Sequence, residues 1–321
     1  MFCSLCKNGA EVRKNMDIDN IEELKEKFAD FKQMFSEERI DEATALIEEL
    51  LESIEGQFHI RKAGMIDNRG HIRISEKNIQ KVETADGKTN NEIYISLNHV
   101  MEYYVYAYYY KPDIQVCCTQ LPIGEYYRAY GDLSVKFGRY KAGAAAYKDA
   151  ICWNPVDLDA ILGLAECYKY LNMLERYLIA TKEAYKLCCT RATMARYYRN
   201  MGYYHVSKYN TQTARCCYLY SNIYYSTENA SRELEYLKNA LGDDTPQWSI
   251  KEMQKILEQS SIEPGPNPDT IGVIYRVGEL MMNDHEYSLA RDCFSICYDI
   301  TQEELLARML KQLDELLGNG V

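Results

Sequence analysis

The side chains in this chain that are best suited to chemistry are its twelve cysteines and five histidines. Cys3 and Cys6 form one Cys-x-x-Cys pair, but a structural zinc site needs four ligands and no second pair accompanies it. Other cysteines are adjacent, as at Cys117-Cys118, and adjacent helical side chains point in different directions. We therefore predict no metal and no disulfide framework. Cysteine is interpreted as a small apolar residue of a reducing compartment, the cytoplasm.

The histidines are scattered, and the sequence holds no His-Glu-x-x-His, Gly-x-Ser-x-Gly or Walker motif. We predict that the chain is not an enzyme and uses no cofactor. An alternative hypothesis places an enzymatic site within residues 57–92, where only His59, Asp67, His71 and Asp86 could exchange protons.

Three arginines, Arg191, Arg196 and Arg199, lie close together beside Asn200. Guanidinium groups bind carboxylates and phosphates through paired hydrogen bonds, so this cluster could hold an acidic group of a ligand. The competing interpretation is that the arginines pair with acidic side chains of neighbouring helices.

The charge of the whole chain limits its partners. It has 37 basic and 48 acidic side chains, a net charge of −11, whereas a nucleic-acid binder needs a basic surface to replace counterions. No apolar run reaches the roughly 18 residues of a membrane span. Residues 1–7 are not followed by the apolar stretch of a signal peptide. We expect neither nucleic-acid nor membrane binding.

The elements that must position these side chains recur along the chain. Two segments with helical periodicity meet at a turn before Tyr140, and Gly131 is followed by Tyr140, Gly143 and Tyr147 after nine, twelve and sixteen residues. The same offsets apply from Ala165, Gly202 and Gly278, and the first two steps between units are 34 and 37 residues. The matching positions are Leu174, Tyr177 and Thr181; Thr211, Ala214 and Tyr218; and Tyr287, Ala290 and Phe294.

A helix–turn–helix unit of about 34 residues resembles the tetratricopeptide repeat family, over roughly Tyr126 to Ile300. Small residues at the first and third of these positions let two helices approach to about 8–10 Å. The middle unit departs from the pattern, because Tyr177 replaces the small residue and Thr181 the large one. The resemblance implies an all-α fold, a right-handed superhelical solenoid of antiparallel helix pairs.

The remaining segments are assigned around this array. We predict a flexible tail over 1–16 and an N-terminal region over 17–110, followed by repeats over 121–260. A last repeat with a C-terminal capping helix covers 267–321. The N-terminal region contains a helical hairpin with helices at about 21–35 and 41–54.

A β-hairpin and loop insertion interrupts the N-terminal region near residues 57–92. Phe58–Lys62 and His71–Ile74 alternate apolar and polar residues around an Asp67–Gly70 turn. Residues 84–91 are predicted to form a polar loop. A long tyrosine-rich helix is predicted from Ile93 to Tyr110, and 111–122 is predicted to be a linker.

The resemblance also implies a function. Such arrays bind a protein or peptide on the concave face formed by the first helix of each pair, so we predict a non-catalytic adaptor whose partner carries an acidic group. The two-carboxylate clamp of chaperone-binding members is not supported, because Asp132 and Glu166 occupy positions that would need cations or amides. A peptide-sensing regulator is the alternative. The predicted concave residues are Tyr127, Arg128, Asp132, Leu162, Glu166, Lys169, Arg196, Arg199, Asn200 and Tyr203.

Overall fold

A computed structural model describes residues 21–57, 64–74, 79–83, 89–111, 114–242 and 244–318. The predicted tail, Cys3, Cys6, His59 and Asp86 lie outside them. The helices are α1 (Ile21–Ser36), α2 (Ile40–Gln57), α3 (Val100–Tyr110), α4 (Ile123–Lys136), α5 (Tyr140–Trp153), α6 (Leu158–Tyr170), α7 (Leu174–Tyr185), α8 (Arg191–Ser207), α9 (Thr211–Tyr224), α10 (Glu228–Leu241), α11 (Ile250–Gln259), α12 (Pro268–Asn283), α13 (Tyr287–Thr301) and α14 (Glu304–Leu316). The strands are β1 (Gly64–Ile66), β2 (Ile72–Ile74), β3 (Gln80–Glu83), β4 (Thr89–Ile95) and β5 (Gln115–Cys118).

The chain forms two compact units, Met1–Ala180 and Thr181–Val321. Within the first unit, the α1–α2 pair packs on α4, where the Phe28 and Tyr126 rings have centroids 3.9 Å apart and Lys32 Nζ lies 2.7 Å from Glu125. Within the second, α8 packs on α9 and α12 on α13. None of the helices in the described part of the chain has the length and apolarity needed to cross a membrane.

The repeat register read from the sequence is confirmed. The predicted turn residues Tyr140, Leu174, Thr211 and Tyr287 are the first residues of α5, α7, α9 and α13. The all-α solenoid built from helix pairs is therefore the architecture of this chain, with small sheets inserted near its N-terminal end.

Five of the helix pairs share one turn geometry. In each pair, the residue two places before the second helix has a positive φ, between 55° and 70°. The N–H that follows it donates to the carbonyl five residues earlier, as from Arg139 to Ser134 at 2.8 Å, which is the longer bond of a Schellman motif. The α1–α2 pair shares this turn with the later pairs. The positive-φ residues are Glu38, Gly138, Asn172, Tyr209 and His285.

The glycines of the first helices give space to a ring on the second helix. A Cβ atom on Gly131 would lie 2.7 Å from the Tyr147 ring, and one on Gly278 would lie 2.7 Å from the Phe294 ring. At Gly202 the distance to the Tyr218 ring would be 2.9 Å. All are shorter than carbon atoms tolerate. The spacing of sixteen residues seen in the sequence is thus a direct contact between paired helices.

The predicted helix over 93–110 is wrong in its first part. Ile93, Tyr94 and Ile95 belong to β4, and the helix begins at Val100. These three residues are buried, at 0 to 8 % exposure, and a buried apolar run has no period that separates strand from helix. The predicted polar loop over 84–91 and the linker over 111–122 also change, because β4 starts at Thr89 and β5 lies within the linker.

The strands form two small sheets. β1 and β2 pair antiparallel, with Gly64 opposite Ile74, around the predicted Asp67–Gly70 turn. The hairpin is confirmed, but its first strand is Gly64–Ile66, whereas Phe58–Lys62 lies outside the described residues. In the second sheet β4 is central, antiparallel to β3 and parallel to β5. The backbone N–H of Ser96 donates to Trp153 O at 2.9 Å and joins the end of β4 to α5.

Candidate protein-binding surface

Helix α8 brings four of the predicted binding residues onto one face. Counted from Arg196, the other three residues lie three, four and seven positions further on, at Arg199, Asn200 and Tyr203. This is the spacing of one helical face, and all four residues are partly exposed. We call this the α8 face. The opposite side of α8 is buried and consists of Met194, Ala195, Tyr197, Tyr198, Met201, Gly202 and His205.

The start of α8 is fixed by capping bonds. Thr190 Oγ1 accepts from the N–H of Thr193 at 3.2 Å, as an N-cap residue does. Arg191, which the sequence grouped with the other arginines, has a different role. Its backbone N–H donates to Asp299 at 2.7 Å, and its guanidinium donates to the carbonyls of Tyr224 and Ile223, both at 3.0 Å. Arg191 therefore caps the end of α9 and is not free to bind a ligand.

The two arginines of the α8 face have no counter-charge among the described residues. Within the described residues, neither Arg196 nor Arg199 forms a hydrogen bond or an ion pair. Arg199 Nη1 is enclosed and lacks an acceptor, although the residue as a whole is partly exposed. Burial lowers the pKa of the Arg199 guanidinium, and the charge of Arg196 lowers it further. The enclosed nitrogen and the lowered pKa both indicate that the Arg199 guanidinium is partly dehydrated and has no negative charge beside it.

The charge pattern of the sequence around α8 helps to explain why these two arginines lack a counter-charge. We did not identify this pattern from the sequence. No acidic residue occurs between Glu183 and Glu228, although the chain has 48 of them. Six basic residues lie in this interval: Lys186, Arg191, Arg196, Arg199, Lys208 and Arg215.

The other basic residues of this interval have contacts of their own. Lys186 pairs with Glu183 at 2.7 Å. Lys208 lies over the Tyr204 ring, with Nζ 5.7 Å from its centroid, and Arg215 is buried and donates to Leu237 O at 3.4 Å. Arg196 and Arg199 are thus the two cations of the interval that the described structure leaves without a partner.

Two of the residues predicted in the first unit are buried. Leu162 is 1 % exposed and Tyr127 is 4 % exposed. The Tyr127 hydroxyl donates to Glu55 at the end of α2. Both side chains therefore pack within the unit and present no open surface.

The charged residues predicted in the first unit are largely neutralised there. Arg128 Nη1 lies 3.1 Å from both carboxylate oxygens of Asp157, which is buried. Glu166 and Lys169 pair with each other at 3.4 Å. Asp132 is exposed and accepts from the Tyr147 hydroxyl at 2.6 Å, and surrounding protein raises its pKa.

The acid–base groups proposed for the insertion have no catalytic arrangement in the described structure. Asp67 Oδ1 accepts from the N–H groups of Arg69, Gly70 and His71 at 2.9 to 3.0 Å. These bonds, led by the one from His71, lower the pKa of Asp67, so it is an ionised turn residue. Among the described residues, no group of three His, Cys, Asp or Glu side chains could hold a metal ion.

Burial of His205 on the inner side of α8 predicts a pH dependence of stability. Its pKa lies below the usual 6.5, because of burial first and the charge of Lys182 second. The unfolded state therefore binds more protons below pH 6.5, and stability falls as the pH falls through that value, by at most about 1.4 kcal/mol per pH unit.

We expect the His205→Gln variant to lose this slope between about pH 5 and 7, where histidine ordinarily titrates. Urea unfolding at several pH values measures it. His285→Asn, at an exposed position, is the matched control and should keep the slope. An unchanged slope in His205→Gln would contradict the assignment.

Comparison with known proteins yields structural likeness only. No family model matches the sequence, and no curated protein matches it. A chain of the Cut9–Hcn1 hetero-tetramer of APC/C aligns over 60 % of this chain and 37 % of its own length, with 12 % identity and a TM-score of 0.34. PilW, a type IV pilus biogenesis factor, aligns over 62 % of this chain and 88 % of its own, with 14 % identity and a TM-score of 0.33.

TTC0263, a tetratricopeptide repeat protein of Thermus thermophilus, aligns over 60 % of this chain and 98 % of its own, with 14 % identity and a TM-score of 0.30. The helix pairs, their common turn and their glycine-to-ring contacts define an all-α helical repeat protein. More particularly, the length and residue pattern of the unit make it a tetratricopeptide-repeat-like protein.

Proposed function

We propose that this protein is a non-catalytic adaptor that binds an acidic segment of another protein on the α8 face. The main observation in its support is that Arg196 and Arg199 lie on the same helical face, are partly exposed and have no counter-charge among the described residues. A buried or partly buried charge is normally paired, and here the partner would be supplied by the ligand. Arginine matches a carboxylate with two parallel hydrogen bonds.

The side chains near the α8 face support binding more than chemistry. Among the potential nucleophiles are the thiols of Cys189, just before α8, and Cys216, on α9, and burial raises their pKa to about 11 and about 12. Such thiols are protonated at neutral pH and react poorly. Arginine remains protonated and transfers no proton. A cytoplasmic location is proposed with this function, from the cysteine usage of the chain.

The contrast between the two units supports this choice of face. In the first unit, Arg128 is held by Asp157, and Asp132 and Asp159 leave its surroundings acidic. An acidic partner would be repelled there and attracted to the acid-free interval around α8. The proposal therefore places the acidic group of the partner at Arg196 and Arg199.

Fluorescence anisotropy tests the proposal. Fluorescein-labelled peptides in which Asp and Glu clusters alternate with Leu and Tyr are titrated with the full chain, beside counterparts that carry Asn and Gln. We expect the acidic peptides alone to bind. Arg196→Gln with Arg199→Gln should weaken them at least about tenfold, because one charge-assisted hydrogen bond contributes roughly 1.5–3 kcal/mol.

Two exposed arginines of the second unit serve as controls. Arg232 and Arg308 each pair with a glutamate one helical turn away, so Arg232→Gln with Arg308→Gln makes the same change in charge elsewhere. This control should bind like the parent. Equal binding by the α8-face variant and the parent would refute the proposal.

A further inference from the structure

We infer that the α8 face binds a phosphate monoester dianion carried by a peptide, that is, a phosphorylated side chain of the partner. This inference rests on the proposed function and specifies the acidic group. It is carried by the number of uncompensated charges, by their chemical type and by their position on one helical turn.

The first argument is charge. Arg196 and Arg199 lie three positions apart on one face, so two like charges are neighbours. No acidic residue exists between Glu183 and Glu228 to separate them. A carboxylate carries one negative charge and would leave one arginine uncompensated. A phosphate monoester carries about −1.5 to −2 at neutral pH and matches the pair.

The second argument is hydrogen bonding. Two guanidinium groups offer about ten N–H donors in fixed planes, and within the described residues neither group forms a hydrogen bond; the enclosed Nη1 of Arg199 is not counted among the donors that face solvent. A phosphate has three strong acceptor oxygens, which can receive bonds from both arginines at once. A carboxylate has two oxygens in one plane and satisfies one guanidinium well.

The third argument is the type of cation. Both uncompensated groups are arginines, whereas the lysines of the same interval, Lys186 and Lys208, have contacts of their own. The guanidinium is more weakly hydrated than an ammonium and fits a phosphate in two-point geometry. Partial burial favours such a group, because less hydration is lost on binding.

The carrier is a peptide because the α8 face is partly exposed over two turns of the helix, from Arg196 to Tyr203. Tyr203 continues the same face one turn beyond Arg199, and Tyr204 and Val206 beside it are also partly exposed. A free phosphate would contact the arginines alone. A phosphorylated peptide would also cover the tyrosine-bearing part of the face, where tyrosine supplies rigid contact area.

One peptide made in three forms tests the inference. The forms carry phosphoserine, glutamate or serine at the same position and are titrated into the full chain by fluorescence anisotropy. Phosphoserine should bind at least about tenfold more tightly than glutamate, because additional charge-assisted bonds form. Inorganic phosphate should compete with the phosphopeptide only weakly.

Substitution by lysine tests the contribution of guanidinium geometry. Arg196→Lys with Arg199→Lys keeps both charges but removes the fork, so the preference for phosphoserine over glutamate should fall at least several-fold. Arg232→Lys with Arg308→Lys is the matched control. Circular dichroism of each variant checks that the helices are retained.

The outcomes are distinct. If glutamate and phosphoserine peptides bind equally, the phosphate inference fails and the proposed function stands. If neither binds, both fail. If inorganic phosphate displaces the phosphopeptide at concentrations near the Kd of the peptide, the ligand is free phosphate and the peptide part of the inference is overturned.

Discussion

Replacing Gly163 by alanine is expected to lower the free energy of unfolding of the first unit by about 3 kcal/mol, near the upper end for overpacked cores. Helix propensity alone predicts the opposite, because alanine is favoured over glycine by about 1 kcal/mol in a helix. The difference comes from Tyr147. A Cβ atom on Gly163 would lie 2.6 Å from Cε1 of that ring.

The ring of Tyr147 has no room to move away. On its other side lies Gly131, where an added Cβ atom would be 2.7 Å from the same ring carbon. The tyrosine hydroxyl is held by Asp132 at 2.6 Å, and the side chain is only 3 % exposed. Tyr147 therefore fills the space between the first helices of two successive pairs, α4 and α6.

Urea unfolding followed by tryptophan fluorescence measures this effect. The chain has two tryptophans, and Trp153 is buried in the first unit, so a Trp248→Phe background assigns the signal to that unit. Gly272→Ala is the control, because nothing lies within 4 Å of the added Cβ atom; it lies in the second unit and its unfolding is followed by circular dichroism. It should be neutral or stabilising, up to about 1 kcal/mol.

A double variant tests the cause. Tyr147→Leu removes the ring, so Gly163→Ala should cost much less in that background. If Gly163→Ala is as stable as the parent, the contact between Tyr147 and the two glycines is not what fixes glycine at this position.

Replacing Asp157 by alanine is the second large change, with an expected loss of about 3 kcal/mol. Asp157 is 1 % exposed and caps α6 by accepting from the N–H of Ala160 at 3.0 Å. Arg128 and Asn98 also donate to it, both at 3.1 Å. Its removal takes away the cap of α6 and the two carboxylate oxygens that Arg128 contacts most closely.

The magnitude is set by the arginine. Breaking a buried ion pair from one side costs about 3–5 kcal/mol, and the Arg128 side chain is 22 % exposed, so water offsets part of the loss. Loss of the helix cap adds about 1 kcal/mol. Loss of the Asp157 charge also has a stabilising effect, because it removes a negative charge close to Glu102. The pKa of Glu102 is raised by burial and by the charge of Asp157.

Asp159 provides a matched control for this prediction. Its carboxylate lies 3.7 Å from the same Arg128 nitrogen, but its side chain is 72 % exposed. Asp159→Ala should change stability by no more than about 1 kcal/mol. The same tryptophan signal reports both variants. Equal effects of the two substitutions would show that burial of Asp157 is not what makes its ion pair important.

The sequence predicted the repeat units well because their signal is local. The offsets from Gly131 to Tyr140 and Tyr147 lie within one helix pair, and the structure shows them as a helix start and a ring contact. The α1–α2 pair has the same turn, at Glu38, although buried Phe31 occupies the position at which the other pairs have glycine or alanine.

The sequence failed where contacts are distant in the chain. Ile93 to Ile95 form a strand because Val116 and Cys118 pair beside them, and no local pattern announces a partner more than twenty residues away. The sequence grouped Arg191 with Arg196 and Arg199 for the same reason: no local pattern shows that Arg191 donates to the distant carbonyls of Ile223 and Tyr224.

The sequence by itself determined the helix pairs, their register and the absence of acidic residues from α8 and α9, because periodicity, glycine spacing and charge are properties of short segments. Only the tertiary structure decided which predicted binding residues remain available. Burial placed Tyr127 and Leu162 inside the first unit, and Asp157 neutralised Arg128. Arg196 and Arg199 kept their charges uncompensated among the described residues, because the elements packed around α8 supply no acid to them.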